Sequence, residues 1–167
     1  MSWALRRAVP ADLDGIMALE SSIFAADAWS ADTMRKDLVN ARCCYLVAVP
    51  VDDGDAVVGY AGVFAPEGAP EAEVQTIAVA ETARRAGLGR ALMAALVAEA
   101  RKRGAERVFL EVRADNPAAQ SLYDSLGFER IAVRESYYQP DGVDAIVMRL
   151  RIPEPRTALA EQGGTHG

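Results

Sequence analysis

Histidine is nearly missing from this 167-residue sequence, where His166, the residue before the last, is the only one. A Ser-His-Asp triad, a Cys-His pair and a histidine-rich metal centre are all implausible on that ground. Any general base must be a carboxylate, a tyrosine or a water chain. Cysteine is scarce too. Cys43 and Cys44 are adjacent, so they cannot staple distant segments and lack zinc-site spacing; they read as buried strand residues. No apolar run approaches the roughly 18 residues that cross a bilayer, and the segment Met1 to Arg7 has no signal-peptide core. These absences lead us to expect a cytoplasmic protein with no membrane partner. Positive charge is in the minority, with 18 Lys and Arg against 24 Asp and Glu and a net charge of -6. That balance argues against a direct nucleic-acid partner, which needs a basic footprint, and suits a cationic substrate.

What the chain does have is the composition of an ordinary globular domain, 51% hydrophobic and 25% charged. Leu5 to Val9 reads as an opening strand, followed by a helix on Leu13, Ile16, Met17 and Leu19. Ser30 is an N-cap candidate for a second helix running to about Val39. Cys44 to Val49 and Val57 to Phe64 are β-rich and flank the turn signal Asp52-Asp53-Gly54-Asp55, which predicts a hairpin. Ala72 to Val79 is the next strand. Leu88, Leu92, Ala95, Leu96 and Ala100 mark a long amphipathic helix that stops at Gly104. Arg107 to Arg113 alternates as a strand, Asn116-Pro117 caps a short helix ending before Gly127, and two strands near 130–138 and 145–150 meet across Pro140-Asp141-Gly142. The order β-α-α-β-β-β-α-β-α-β-β implies an α/β fold in one domain over residues 1–152, with a disordered tail over 153–167.

The turn between the strand ending at Val79 and the long helix contains Arg84-Arg85-Ala86-Gly87-Leu88-Gly89-Arg90. Glycines there allow close backbone approach, and a helix start favours an anion. A plain strand-to-helix turn is the alternative. A Rossmann fingerprint would need a third glycine where Leu92 stands, and a P-loop would need a Lys followed by Ser or Thr. In its Arg84, Gly87 and Gly89 spacing the turn resembles the coenzyme motif of the GNAT acetyltransferases. The run Leu110-Glu111-Val112-Arg113-Ala114-Asp115-Asn116-Pro117, with Leu122-Tyr123 and Leu126-Gly127-Phe128, is similar to the RimI-like branch, which acetylates the N-terminal alanine of a ribosomal protein. Phe24, Trp29-Ser30, Tyr137-Tyr138 and Asp141-Gly142 extend the likeness over roughly residues 5–150. It departs at Thr76, where close relatives often carry asparagine.

The resemblance implies a GNAT fold with a mixed, mostly antiparallel sheet flanked by helices, and acetyl-CoA as the acetyl donor with no metal. It places the coenzyme on Ile77, Ala78 and Val79, on Arg85, Ala86, Gly87, Leu88, Gly89 and Arg90, and on Asn116. It implies a protein or peptide N-terminus as partner, a ribosomal protein by that analogy. Glu111 becomes the general base, although as a strand glutamate it could simply pair with Arg113 or another cation. Tyr123 becomes the proton donor to the departing thiolate, although it could equally be a core aromatic beside Phe128. Tyr137 and Tyr138 would line a peptide groove or merely pack across strands. Glu73 would receive the substrate ammonium or stand as a solvated strand-edge acid. A GNAT enzyme acting on lysine side chains or small amines, and a non-catalytic acyl-CoA-binding module, are the competing functions; fold alone does not choose among them.

Overall fold

The computed structural model describes residues 2–24, 29–52, 56–84 and 86–153. Seven strands, β1 (Trp3–Arg7), β2 (Cys43–Pro50), β3 (Gly59–Phe64), β4 (Glu71–Val79), β5 (Arg107–Arg113), β6 (Glu129–Tyr138) and β7 (Val143–Arg151), form one sheet in the order β1-β2-β3-β4-β5-β7-β6. All neighbours are antiparallel except β4 and β5. Helices α1 (Leu13–Phe24) and α2 (Ala31–Leu38) cover one face, and α3 (Leu88–Lys102) and α4 (Pro117–Ser125) cover the other.

Local chemistry sets the boundaries. Ser30 Oγ accepts from the Thr33 amide at 3.1 Å and Asn116 Oδ1 from the Ala119 amide at 3.1 Å, so both predicted caps satisfy an orphan helix N–H. Along α3, Leu88, Leu92, Met93, Leu96 and Ala100 are buried against β2, β3 and β4. Gly104, at φ 108°, ends that helix in a conformation that favours glycine. The first strand lies about two residues earlier than the sequence suggests. Val9 leaves the ladder because its amide donates to Asp12 Oδ2 at 2.8 Å while its carbonyl accepts from the Asp12 amide, closing a short 3₁₀ turn over Pro10–Asp12. The tail beyond Pro153 and the tip of the β2–β3 hairpin at 53–55 lie outside the described residues.

The sheet is divided by an irregularity in β4. Gly62 of β3 pairs with Thr76, but Val63 pairs with Val74, so Gln75 is an extra residue. Strict alternation would put Ala72, Val74, Thr76 and Ala78 on one face. Instead Ala72, Val74, Ile77 and Val79 meet the α3 side, whereas Thr76 and Ala78 turn to the α1 side. Tyr45 holds the bulge. Its ring lies over Gly62, where an added Cβ would come within 2.3 Å of ring carbons, and its hydroxyl donates to Gln75 Oε1 at 2.9 Å. Beyond the bulge β4 leaves β5. The two pair only at Glu71–Arg107, Ala72–Val108 and Glu73–Phe109.

Candidate active site in the split between two parallel strands

A cleft of about 430 Å³ fills the gap where β4 and β5 diverge. Val74 to Val79 line one wall and Leu110 to Arg113 the other, with Asn116, Ala119 and Tyr123 from α4, Tyr138 from β6, and Glu20, Phe24 and Trp29 from the α1 side. Neither strand has a ladder partner across this gap, so their facing edges offer backbone donors and acceptors to an extended, amide-bearing ligand. At the far end Arg84 Nε donates to the Val79 carbonyl at 3.2 Å. Gly87 caps α3 at φ 82° with no side-chain cap. The first amides of α3 are therefore left for an anion, and the chain's residues fit a pyrophosphate-bearing thioester.

Ile77, Ala78, Val79, Asn116, Glu111, Tyr123 and Tyr138 all line this cleft. Ala86, Gly87, Leu88, Gly89 and Arg90 sit at the α3 end, outside the lining. Leu88 is only 1% exposed and its side chain belongs to the core, so its backbone amide is the only part of it open to a ligand. Arg90 instead ties α3 to α4 by donating to Ser125 Oγ at 2.6 Å. Arg85 lies outside the described residues. Glu73 and Tyr137 stand beside the cleft rather than in its wall.

Glu111 pairs with a cation, but with Arg134 (Nε to Oε2, 2.9 Å) rather than Arg113. Arg113 is held by Asp115 and Asp141 and lies 5.0 Å from the centre of the Tyr138 ring. Burial, then the neighbouring Glu111 carboxylate, pushes the Tyr137 phenol up, and its ring meets Tyr138 edge to face, with ring centres 5.2 Å apart. The carboxyl of Glu73 is pushed up by desolvation and then by the charge of Glu111, with Arg134 opposing. Tyr123 is the core aromatic beside Phe128 and also borders the cleft. Its ring packs 6.0 Å from that of Phe128 in the core, while the residue lines the cleft and its hydroxyl bonds no described residue. Burial, then the neighbouring Tyr138, pushes its phenol up to about 12, so it keeps its proton at any ordinary pH.

Three polar residues of the site were missed. Glu20 is 1% exposed, accepts from the Trp29 amide at 2.9 Å and faces the Thr76 hydroxyl at 3.5 Å. Burial raises its carboxyl against the pull of those two bonds. An acid on the apolar stripe of Ile16 and Leu19 was a readable anomaly. Arg134 had no such signal, because its partner Glu111 is distant in sequence, and Arg113, although Asp115 stands two residues away, was weighed only as a partner for Glu111. The cysteines are buried and unpaired, and burial pushes the Cys43 thiol up to about 11, far from a thiolate nucleophile. Among the described residues no three His, Cys, Asp or Glu side chains group as for a metal ion, and no helix is long and apolar enough to cross a membrane.

Residues 13–128 match the Acetyltransferase (GNAT) family. The chain is 43% identical to an uncharacterized Mycobacterium leprae protein over 84% of its own length but only 38% of that protein's. It is 36% identical to the N-alpha-acetyltransferase RimI of Mycobacterium tuberculosis, covering 87% of this chain and 90% of that one. The crystal structure of the ribosomal-protein-S18-alanine N-acetyltransferase from Escherichia coli superposes with a TM-score of 0.79 at 31% identity, over 93% of this chain and 99% of that one.

Proposed function

The chain belongs to the GNAT acetyltransferase family, and from that premise we propose that it moves the acetyl group of acetyl-CoA onto the N-terminal α-amino group of a protein, an alanine-initiated ribosomal protein in the first instance. The observation that carries this reading is the convergence of Glu111 and Tyr123 on one cleft between strand edges. The similarity to N-terminal acetyltransferases of Mycobacterium tuberculosis and Escherichia coli supports the choice of substrate.

Acetyl-CoA supplies the thioester. Its pantetheine arm lies along Ile77 to Val79, and its pyrophosphate meets the α3 amides from Leu88 to Arg90, with Asn116 alongside. A free α-amino group has a pKa of about 7.7–8.0, so at neutral pH most of it is protonated. Glu111 takes the amine proton, directly or through one water. The nitrogen bonds to the acetyl carbon, the carbon–sulfur bond breaks, the thiolate departs against the Tyr123 hydroxyl, and the proton that nitrogen sheds ends on sulfur through solvent. The net change is one amide and one thiol from one amine and one thioester. Glu73 and Tyr138 receive the substrate chain on the α1 side, where Phe24 and Trp29 complete the wall.

Incubating the protein and acetyl-CoA with peptides beginning Ala, Ser, Met or Gly, and with lysine-containing peptides blocked at the N-terminus, tests the substrate by mass spectrometry. Acetylation of the α-amino group of Ala peptides is expected, faster when arginines follow and slower as salt rises, because the net charge of -6 steers cations over a Debye length of about 8 Å at physiological ionic strength. Products confined to lysine side chains would move the protein to the competing class.

Coenzyme placement has its own test. A Cβ at Gly89 would meet only Leu122 Cδ2 at 3.4 Å, ordinary contact. Gly89→Val is therefore expected to stay folded while a bulky side chain beside the first-turn amides weakens acetyl-CoA binding about tenfold, near 1.4 kcal/mol. Calorimetry on a variant of unchanged melting temperature reads this, and equal affinity would displace the pyrophosphate from this turn.

A further inference from the structure

Strand β6 breaks its register twice, between Arg130 and Ala132, level with Glu111 across β7, and again between Arg134 and Tyr138. Arg134 pairs with Ala145 of β7 and Tyr138 with Val143, so β6 spends four steps where β7 spends two. In a regular strand Arg134 and Tyr137, three residues apart, would point to opposite faces. Here both gather beside one carboxylate: Arg134 Nε lies 2.9 Å from Glu111 Oε2, and the Tyr137 phenol feels the same charge. The guanidinium also covers the Tyr137 ring, 5.3 Å from its centre, which limits where it can go. Ser136 lies between them at φ 52°, a conformation that non-glycine residues rarely adopt, and its amide donates to Asp144 Oδ1 at 2.8 Å. The bulge is thus tied down by its own hydrogen bond, and such irregularities re-aim side chains near functional sites.

The charges around Glu111 explain what this aim achieves. Glu73 comes from β4, Glu20 stands in the wall on the α1 side, and Arg113 follows two residues on but is occupied by Asp115 and Asp141. The residue opposite on β7 is Val147, and Tyr123 of α4 stays neutral. Arg134 is therefore the cation held directly against Glu111 on a flank that also carries Glu73. Two neighbouring carboxylates without a counter-charge favour sharing a proton, and a protonated Glu111 cannot act as a base.

We propose that Arg134 is a positioning residue that, fixed over Tyr137 by the bulge in β6, keeps Glu111 ionised and oriented beside Glu73. The proposal rests on the reading of Glu111 as the base. Arg134 is 58% exposed, so its effect is partly screened and its reach is modest.

The test compares wild type, Arg134→Gln and Arg134→Lys by pH profiles of kcat and kcat/KM on an Ala peptide, and by NMR titration of the Glu111 carboxyl without substrate. In Arg134→Gln the titration midpoint and the acid limb of kcat/KM are expected to move up together, with kcat near neutral pH down roughly 5- to 20-fold. Lysine should return the midpoint toward wild type, since it restores the charge, but only part of kcat, since it lacks the planar fork. A general loss of structure would lower both rates without moving the limb. An unmoved midpoint and limb in Arg134→Gln, or a lysine variant indistinguishable from the glutamine one, overturns the proposal. Wild-type turnover in Glu111→Gln removes the base reading itself, whereas an impaired Glu111→Gln with an unmoved limb in Arg134→Gln removes only the role of Arg134.

Discussion

Glu111→Gln is expected to lower kcat by about 10²–10⁴-fold with little change in acetyl-CoA affinity. The fold should survive. The lost ion pair has an exposed partner, Arg134 at 58%, and such pairs contribute about 0–1 kcal/mol. The size of the loss also separates two roles of the carboxylate. With an α-amino pKa near 7.8, raising the pH from 7 to 9 increases the neutral amine only about sevenfold. If Glu111 merely deprotonated the waiting substrate, its removal would cost no more than that and alkali would restore it. A loss of 10² or more, about 2.7 kcal/mol, that alkali only dents places the carboxylate in the transition state. Stopped assays at pH 7 and pH 9 on the same peptide read both numbers. Wild-type turnover at neutral pH would take Glu111 out of the mechanism.

The element order was legible because each helix and strand carries its own local signal. Ser30 and Asn116 cap as their side chains require, α3 presents one apolar stripe, and Val108, Leu110 and Val112 are buried in alternation. The cleft itself was not legible. Ala72, Val74, Thr76 and Ala78 alternate without a fault, so nothing local announces that Gln75 is an extra residue. The bulge arises from the pairing of Tyr45 with Gly62, thirty residues upstream of Gln75 in the case of Tyr45. The same holds for Glu111, whose pairing with Arg113 or another cation was foreseen without that other cation being identified. The register of β6, shifted by an extra residue between Arg130 and Ala132, brought Arg134 there instead. Candidate side chains were recognised one by one through resemblance, while the charges that tune them depend on register, which alternation alone does not specify.

Tyr123→Phe is expected to reduce kcat by about 10–10²-fold at every pH from 6 to 9, with folding unchanged. The phenylalanine ring keeps the contact 6.0 Å from Phe128, and no bond to a described residue is lost, because the hydroxyl makes none. The expected loss is smaller than for the carboxylate, and a mismatch of acidities explains why. A cysteine-like thiol has a pKa of about 8.5, whereas the phenol is pushed up to about 12. Handing its proton completely to a fully formed thiolate would therefore be uphill. In the proposed mechanism Tyr123 therefore acts mainly as a fixed hydrogen-bond donor to sulfur as negative charge develops in the transition state, and only the net gain over water is lost on substitution. The flat pH dependence follows from the same shift, since a group that holds its proton to about 12 contributes no limb below pH 9. Raising the acidity of the leaving thiol provides the sharper check. With an acetyl thioester of lower thiol pKa, the wild-type advantage over Tyr123→Phe should shrink, because less charge on sulfur needs a donor. An advantage that stays constant across such donors, or a kcat equal to wild type with acetyl-CoA, would return Tyr123 to the core as a packing residue.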